Sequence, residues 1–193
     1  MHPRFDARPI VVALAGPNGA GKSTFFGAHL QPSGLRFINA DDLGRELNID
    51  LYEAARLANS LRIELAQRRE SFVFETVFSD PQRDKLSFLK DAAARGYAVV
   101  LVFIGIASAT ASEGRVAMRV SQGGHDVPTE KIMARYPRTL ANLAAAMAEL
   151  PLVLVYDNSN LEFQRVAEFE QGRMTFCAPQ VPEWFKPLLA PYQ

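Results

Sequence analysis

Ile10-Val11-Val12-Ala13-Leu14-Ala15, followed directly by Gly16-Pro17-Asn18-Gly19-Ala20-Gly21-Lys22-Ser23-Thr24, is the stretch that decides the fold. Six apolar residues without polar alternation suit a strand buried on both faces. The glycine-rich octet after it fits G-x-x-x-x-G-K-[ST], and it has the context that pattern needs, a strand before and a helical stretch after. Glycines let successive backbone N–H groups turn inward toward phosphate oxygens, and the following helix adds the positive end of its dipole. In such a loop Lys22 reaches the β and γ phosphates of ATP, and Ser23 holds Mg²⁺. The whole run Gly16 to Thr24 is therefore the candidate ATP-binding segment.

Outward from this motif, apolar runs recur at Leu35 to Ile38, Phe72 to Phe74, Val99 to Ile106 and Leu152 to Tyr156. Segments of helical period lie between them. Leu51, Ala55, Ala58, Leu61 and Leu65 step by three or four, with Asp50 and Glu53 placed as a capping pair. Pro81 starts a helix ending near Gly96, another runs from about Ser108 to Ser121, and a third from about Thr129 to Leu150, kinked at Pro137. Alternating strands and helices predict an α/β fold: three layers around a mostly parallel five-stranded sheet, with ligands at the strands' carboxyl ends. After Asn158, Ala167 and Phe169 alternate with Glu168 and Glu170, and Met174 and Phe176 with Arg173 and Thr175, around Gln171-Gly172. That pattern predicts an antiparallel hairpin. The proline-rich tail with Trp184 is expected on the domain surface. One domain over 1–193 results, with a helical lid at about 108–128 and the hairpin and tail at about 160–193.

Composition narrows the function. The chain has 193 residues, 21 basic against 21 acidic side chains, 48% hydrophobic residues and one cysteine. Balanced charge gives no general attraction for nucleic acid or acidic membrane, so any anion site is local. A lone Cys177 forms no internal disulfide and no structural zinc site, which points to a reducing, cytoplasmic compartment. Arg4 and Arg8 before Ile10 to Ala15 imitate a signal peptide, but the apolar core is too short. No apolar run approaches the roughly 20 residues of a membrane-spanning helix.

A phosphate loop says nucleotide and leaves the reaction open. The Asn-Lys-x-Asp run that reads guanine in switch GTPases is missing, and the late strand Leu152 to Asp157 ends in Asp-Asn where an ATPase strand ends in Asp-Glu. A small-molecule kinase needs a carboxylate beside the loop to accept the proton of an acceptor hydroxyl. Asp41 with Asp42, after the second strand, and Glu75, after Phe72-Val73-Phe74, hold such positions. Asp41 is the candidate base, and Glu75 a candidate for Mg²⁺ or substrate contact. Arg115 and Arg119 lie four apart on one helical face, ahead of a turn Gly123-Gly124-His125-Asp126-Val127-Pro128. This suits a lid that brings arginines onto the transferred phosphate. His125 reads as a turn residue, Cys177 as an inert hairpin side chain, and Arg135, Arg138 and Asn142 as a polar stripe.

Gly16 to Thr24, Asn39-Ala40-Asp41-Asp42, Phe74-Glu75-Thr76, Arg115-Val116-Ala117-Met118-Arg119-Val120, Gly123 to Pro128, Arg135-Tyr136-Pro137-Arg138-Thr139-Leu140-Ala141-Asn142-Leu143 and Tyr156-Asp157-Asn158-Ser159 form an ordered set. Together they resemble the zeta-toxin family of P-loop kinases over about 15 to 160. The resemblance implies ATP-dependent phosphorylation of the sugar 3′-hydroxyl in UDP-N-acetylglucosamine or a related nucleotide sugar. It implies Lys22 and Ser23 on ATP and Mg²⁺, Asp41 as base, Glu75 and Thr76 toward substrate, and Arg115 as phosphate clamp. It also implies an antitoxin protein as partner. This chain departs from the family in showing His125 where a second lid arginine is usual, which passes that role to Arg119. A nucleoside or antibiotic kinase, or an ATP-binding regulatory module, are the alternatives; a pure binder has no use for Asp41.

Overall fold

Strand β1 (Ile10–Ala15) lies inside a seven-stranded sheet, and its residues divide by parity between two cores. Val11, Ala13 and Ala15 face one cluster, and Ile10, Val12 and Leu14 face the other. That division follows from the two-residue period of a strand, and it makes an all-apolar run the right sequence for a central position. The computed structural model describes residues 3–123, 126–160 and 162–192.

The remaining strands are β2 (Arg36–Ile38), β3 (Phe72–Thr76), β4 (Ala98–Gly105), β5 (Leu152–Asp157), β6 (Gln164–Glu170) and β7 (Arg173–Cys177), in spatial order β2-β3-β1-β4-β5-β6-β7. The first five in this order are parallel, as expected, and bring their carboxyl ends to the same end of the sheet. The sheet has seven strands and not five, because the hairpin β6–β7 pairs antiparallel with β5 and extends it. The open hydrogen-bonding edge of β5 makes that continuation favourable.

One face carries α3 (Leu51–Gln67), α4 (Asp84–Ala94), α6 (Thr129–Glu149) and the C-terminal tail, packed on Phe72, Phe74, Leu101, Phe103 and Phe169. The other carries α1 (Lys22–Phe25), which runs on as a π-helical turn at Phe26–Leu30. Large side chains such as Phe72 and Phe103 are fully buried, each contributing about 1.5–3 kcal/mol through loss of apolar surface from water.

Local chemistry accounts for the helix starts. Asp50 accepts from the N–H groups of Tyr52 and Glu53 and begins α3. Ser108 accepts from Ala111 N–H and begins α5 (Ala109–Ser121). Helix α4 starts at Asp84 and not at Pro81, since Arg83 ahead of it adopts a left-handed conformation with φ 57°. Pro137 lies inside α6. Helix α2 (Ala40–Leu47), which sequence periodicity did not mark, is capped by Asn39, whose side chain accepts from Asp41 N–H.

The tail departs from expectation. Trp184 is 7% exposed and belongs to the core, with its ring 6.0 Å from that of Phe103. The hairpin's alternation also breaks: a bulge between Glu168 and Phe169 leaves Glu168 buried against Arg165 and Thr175, while Phe176 is exposed under the Arg165 guanidinium. Among the described residues, no helix is long and apolar enough to cross a membrane.

Candidate active site

The carboxyl ends of β1, β2 and β3 bring together the residues that sequence had set apart as a candidate site. Gly16, Gly19 and Gly21 all have positive φ (147°, 72° and 86°). A Cβ at Gly16 would fall 2.2 Å from the Ile104 carbonyl oxygen, and one at Gly19 3.0 Å from Arg115 Cβ and from the Ser112 carbonyl oxygen. No other residue fits this path of the chain, and α5 lies directly on the loop.

Lys22, at the first turn of α1, is 6% exposed, and its Nζ donates to the carbonyls of Gly16 and Pro17 at 3.0 Å each. Its ammonium stands 3.6 Å from Glu75 Oε1. Burial pushes its pKa below 10.5, against the opposing pull of Glu75 and Asp41. Ser23 Oγ donates to Glu75 Oε2 at 2.8 Å, and Asn39 Nδ2 donates to the same oxygen at 3.0 Å. Asn39, which sequence reasoning gave no role, ties Glu75 to the cap of the helix that carries Asp41. An Asn two residues before an acid and three before another was the available signal for such a cap.

Asp41, in the first turn of α2, is about half exposed, and its Oδ2 lies 4.0 Å from Arg119 Nη1 on α5. Its neighbour Asp42 is bound instead to Arg45 of the same helix. Arg115, the expected phosphate clamp, shares the α5 face with Arg119 but reaches a different partner: its Nη2 donates to the carbonyls of Asn158 and Ser159, at 2.6 and 3.0 Å. Thr76 Oγ1 accepts from Phe78 N–H and closes its own turn. Thr24 is exposed on α1. Asn142 is buried and donates to the carbonyls of Phe78 and Asp80, so it fastens α6 to the loop after β3. Cys177 is half-buried at the end of β7. His125 and its turn partner Gly124 lie outside the described residues.

The arrangement suits a polyphosphate and a hard cation. The loop is a cradle that any Cβ would fill, and Ser23 with Glu75 offers one hydroxyl and one carboxylate, the oxygen donors that Mg²⁺ takes beside phosphate and water. A cavity of about 250 Å³ lies elsewhere, beneath α1, between Phe25, His29, Tyr156 and Phe163. Its lining is mainly aromatic and aliphatic, and the carboxylates and cations described above do not reach it.

The family profile described as Zeta toxin matches residues 51–165, more than half of the chain. The chain belongs to the zeta toxin family. The phosphate loop and Asp41 precede the matched stretch, so at those positions this zeta toxin family member rests on its own geometry. No curated protein matches it in sequence. Its fold is similar to that of a chain in the AvrRxo1-ORF1:-ORF2 complex solved with ATP, with TM-score 0.72 and 16% identity, covering 97% of this chain and 65% of that one. It thus spans about two thirds of the length of that relative. A chain of the PezAT chromosomal toxin–antitoxin system of Streptococcus pneumoniae is similar at TM-score 0.59 and 18% identity, covering 95% and 84%.

Proposed function

We propose that this protein is an ATP- and Mg²⁺-dependent kinase that phosphorylates a hydroxyl of a small acceptor, a nucleotide sugar of the UDP-N-acetylglucosamine kind. The observation that carries the reading is the convergence of Lys22, Ser23, Glu75, Asp41 and Arg119 on one phosphate loop. A binding module needs the first two; a half-exposed carboxylate set against an arginine is what phosphoryl transfer adds. ATP is the phosphoryl donor, and a Mg²⁺ ion held at the loop would supply charge neutralisation on its phosphates. Ser23 and Glu75 supply the two protein oxygens for the metal, while Lys22 faces the phosphates. Asp41 accepts the proton of the acceptor hydroxyl. Arg119 brings positive charge to the transferred group, and Arg115 holds the lid helix against the turn after β5. Glu75 and Thr76, at the end of β3, stand on the acceptor's side.

The family and the toxin–antitoxin setting of the PezAT relative support an antitoxin protein as partner. A cytoplasmic placement, which a lone thiol supports, belongs to the same proposal.

Purified protein incubated with ATP-Mg²⁺ and a panel of nucleotide sugars, nucleosides and aminoglycosides tests this. The nucleotide sugar should gain the mass of one phosphate, and the Asp41→Asn protein should leave it unmodified. ATP consumed to ADP with no acceptor gaining mass would overturn the kinase reading, and transfer to an aminoglycoside alone would overturn the acceptor.

A further inference from the structure

The C-terminal tail reaches the phosphate loop through two residues. Trp184, beyond the stretch that the family profile matches, occupies the space a side chain at Gly105 would need: a Cβ there would fall 2.0–2.6 Å from the indole. Its Nε1–H donates to Asp157 Oδ1 at 2.7 Å, and Ser159 Oγ donates to the same oxygen at 2.6 Å. Asn158, between them, is 5% exposed. Its N–H donates to the Gly105 carbonyl at 3.0 Å, its carbonyl accepts from Arg115, and its Nδ2 donates to the Ala20 carbonyl at 2.9 Å.

That last bond bears on phosphate binding. A trans peptide points its C=O and the next N–H in opposite directions, so a fixed Ala20 carbonyl fixes the Gly21 N–H the other way. The loop's remaining turns are secured alike, with Gly16 and Pro17 carbonyls held by Lys22 and the Asn18 carbonyl by Ser112. A Cβ on Gly21 would lie 2.6 Å from Asn158 Nδ2, so loop and amide are in direct contact. Among the described residues, Asn158 Oδ1 is buried and meets no hydrogen-bond donor, while Nδ2 is held on Ala20.

We propose that Asn158 is a positioning residue for phosphate binding, aiming the Gly21 N–H by holding the Ala20 carbonyl, and that Trp184 keeps Asn158 in place through Asp157. The proposal rests on the phosphate-loop reading above. It makes the tail, and with it the lid arginine Arg115, part of one device that sets the loop.

Calorimetric titration of ATP-Mg²⁺ into the full chain, well below its melting temperature, separates the two readings. Binding that Lys22→Ala abolishes establishes the loop; binding that ignores Lys22 overturns both. Given Lys22-dependent binding, Asn158→Asp, which swaps the donor for an acceptor, should weaken ATP by about tenfold, the scale of one lost hydrogen bond. Asn158→Ala takes the same reading if the aspartate variant does not fold. Trp184→Phe should weaken ATP by roughly threefold to tenfold, and adding it to Asn158→Asp should weaken binding no further, since the indole acts through the amide. Leu189→Ala, in the buried part of the same tail, should lower the melting temperature and leave ATP affinity unchanged. Wild-type affinity in Asn158→Asp, additive effects of the two changes, or equal weakening by Leu189→Ala would each overturn the proposal.

Discussion

Arg119 on α5 stands 4.0 Å from the carboxylate of Asp41 on α2, and both side chains are nearly half exposed. An ion pair this open adds little to stability, about 0–1 kcal/mol at most. Its meaning is positional: α5 delivers a cation to an acid beside the loop.

Asp41→Asn keeps the shape and removes the proton acceptor. It should lower kcat by about 10² to 10⁴ and leave the ATP dissociation constant within a few fold. Steady-state kinetics beside calorimetry checks this; a fall in ATP affinity at constant kcat would move Asp41 to the nucleotide or metal.

Arg119→Ala should lower kcat by about 10³ or more, the scale known for arginines that stabilise phosphoryl transfer. Arg115→Ala should act mainly through ATP affinity, because its guanidinium holds the turn at Asn158 and Ser159. Rates for both variants measured at saturating ATP distinguish the two roles.

Lys22 carries a pKa pushed below 10.5 by burial. In the window between that lowered value and 10.5 the unfolded chain binds more protons, so stability rises with pH there. Lys22→Met removes this titration while Ser23 and Asn39 still serve Glu75. The variant should resist urea better than wild type at neutral pH, with the gap closing as pH approaches 10.5.

Gly16→Ala should destabilise by about 2–4 kcal/mol, since its Cβ meets a backbone oxygen that cannot move aside. Gly27→Ala meets nothing within 4 Å on the helical turn after Phe25. It should stabilise by about 0.5–1 kcal/mol. Thermal denaturation of the pair tests both signs.

Asp50 has its pKa held below 3.8 by the N–H groups of Glu53 and Tyr52. Its contribution is present above pH 3.8 and lost as pH falls through the lowered value. Asp50→Ala should therefore melt earlier than wild type at pH 7, and the two curves should merge in acid.

What could be read from sequence was what neighbours in the chain decide. The loop from Gly16, the Asp50 cap and the runs of β1, β4 and β5 depend on residues a few places apart, and they were legible. Asn39 capping α2 was local too, but the eight-residue helix with Gly44 inside gave too short a period to notice. The start of α4 was misplaced because Arg83 takes a left-handed conformation that Pro81 does not foretell. The carbonyl partners of Arg115, on Asn158 and Ser159, sit 43 and 44 residues away on a turn whose approach only the folded sheet creates, so this contact was not legible. Phe176 leaves the face of Met174 and pairs with Glu168 because a bulge, invisible to a period-two pattern, shifts the register.

The hairpin after β5 has a consequence for handling the protein. Cutting the chain after Ser159 would bare the peptide groups of Leu152–Asp157, a strand made almost wholly of aliphatic and aromatic side chains, as a template for neighbouring molecules. Such a fragment would keep the phosphate loop with Asp41, Glu75, Arg115 and Arg119, yet it should precipitate on expression. The intact form instead ends its sheet on the five-residue β7, whose Arg173 and Thr175 face solvent and discourage stacking of one copy on the next.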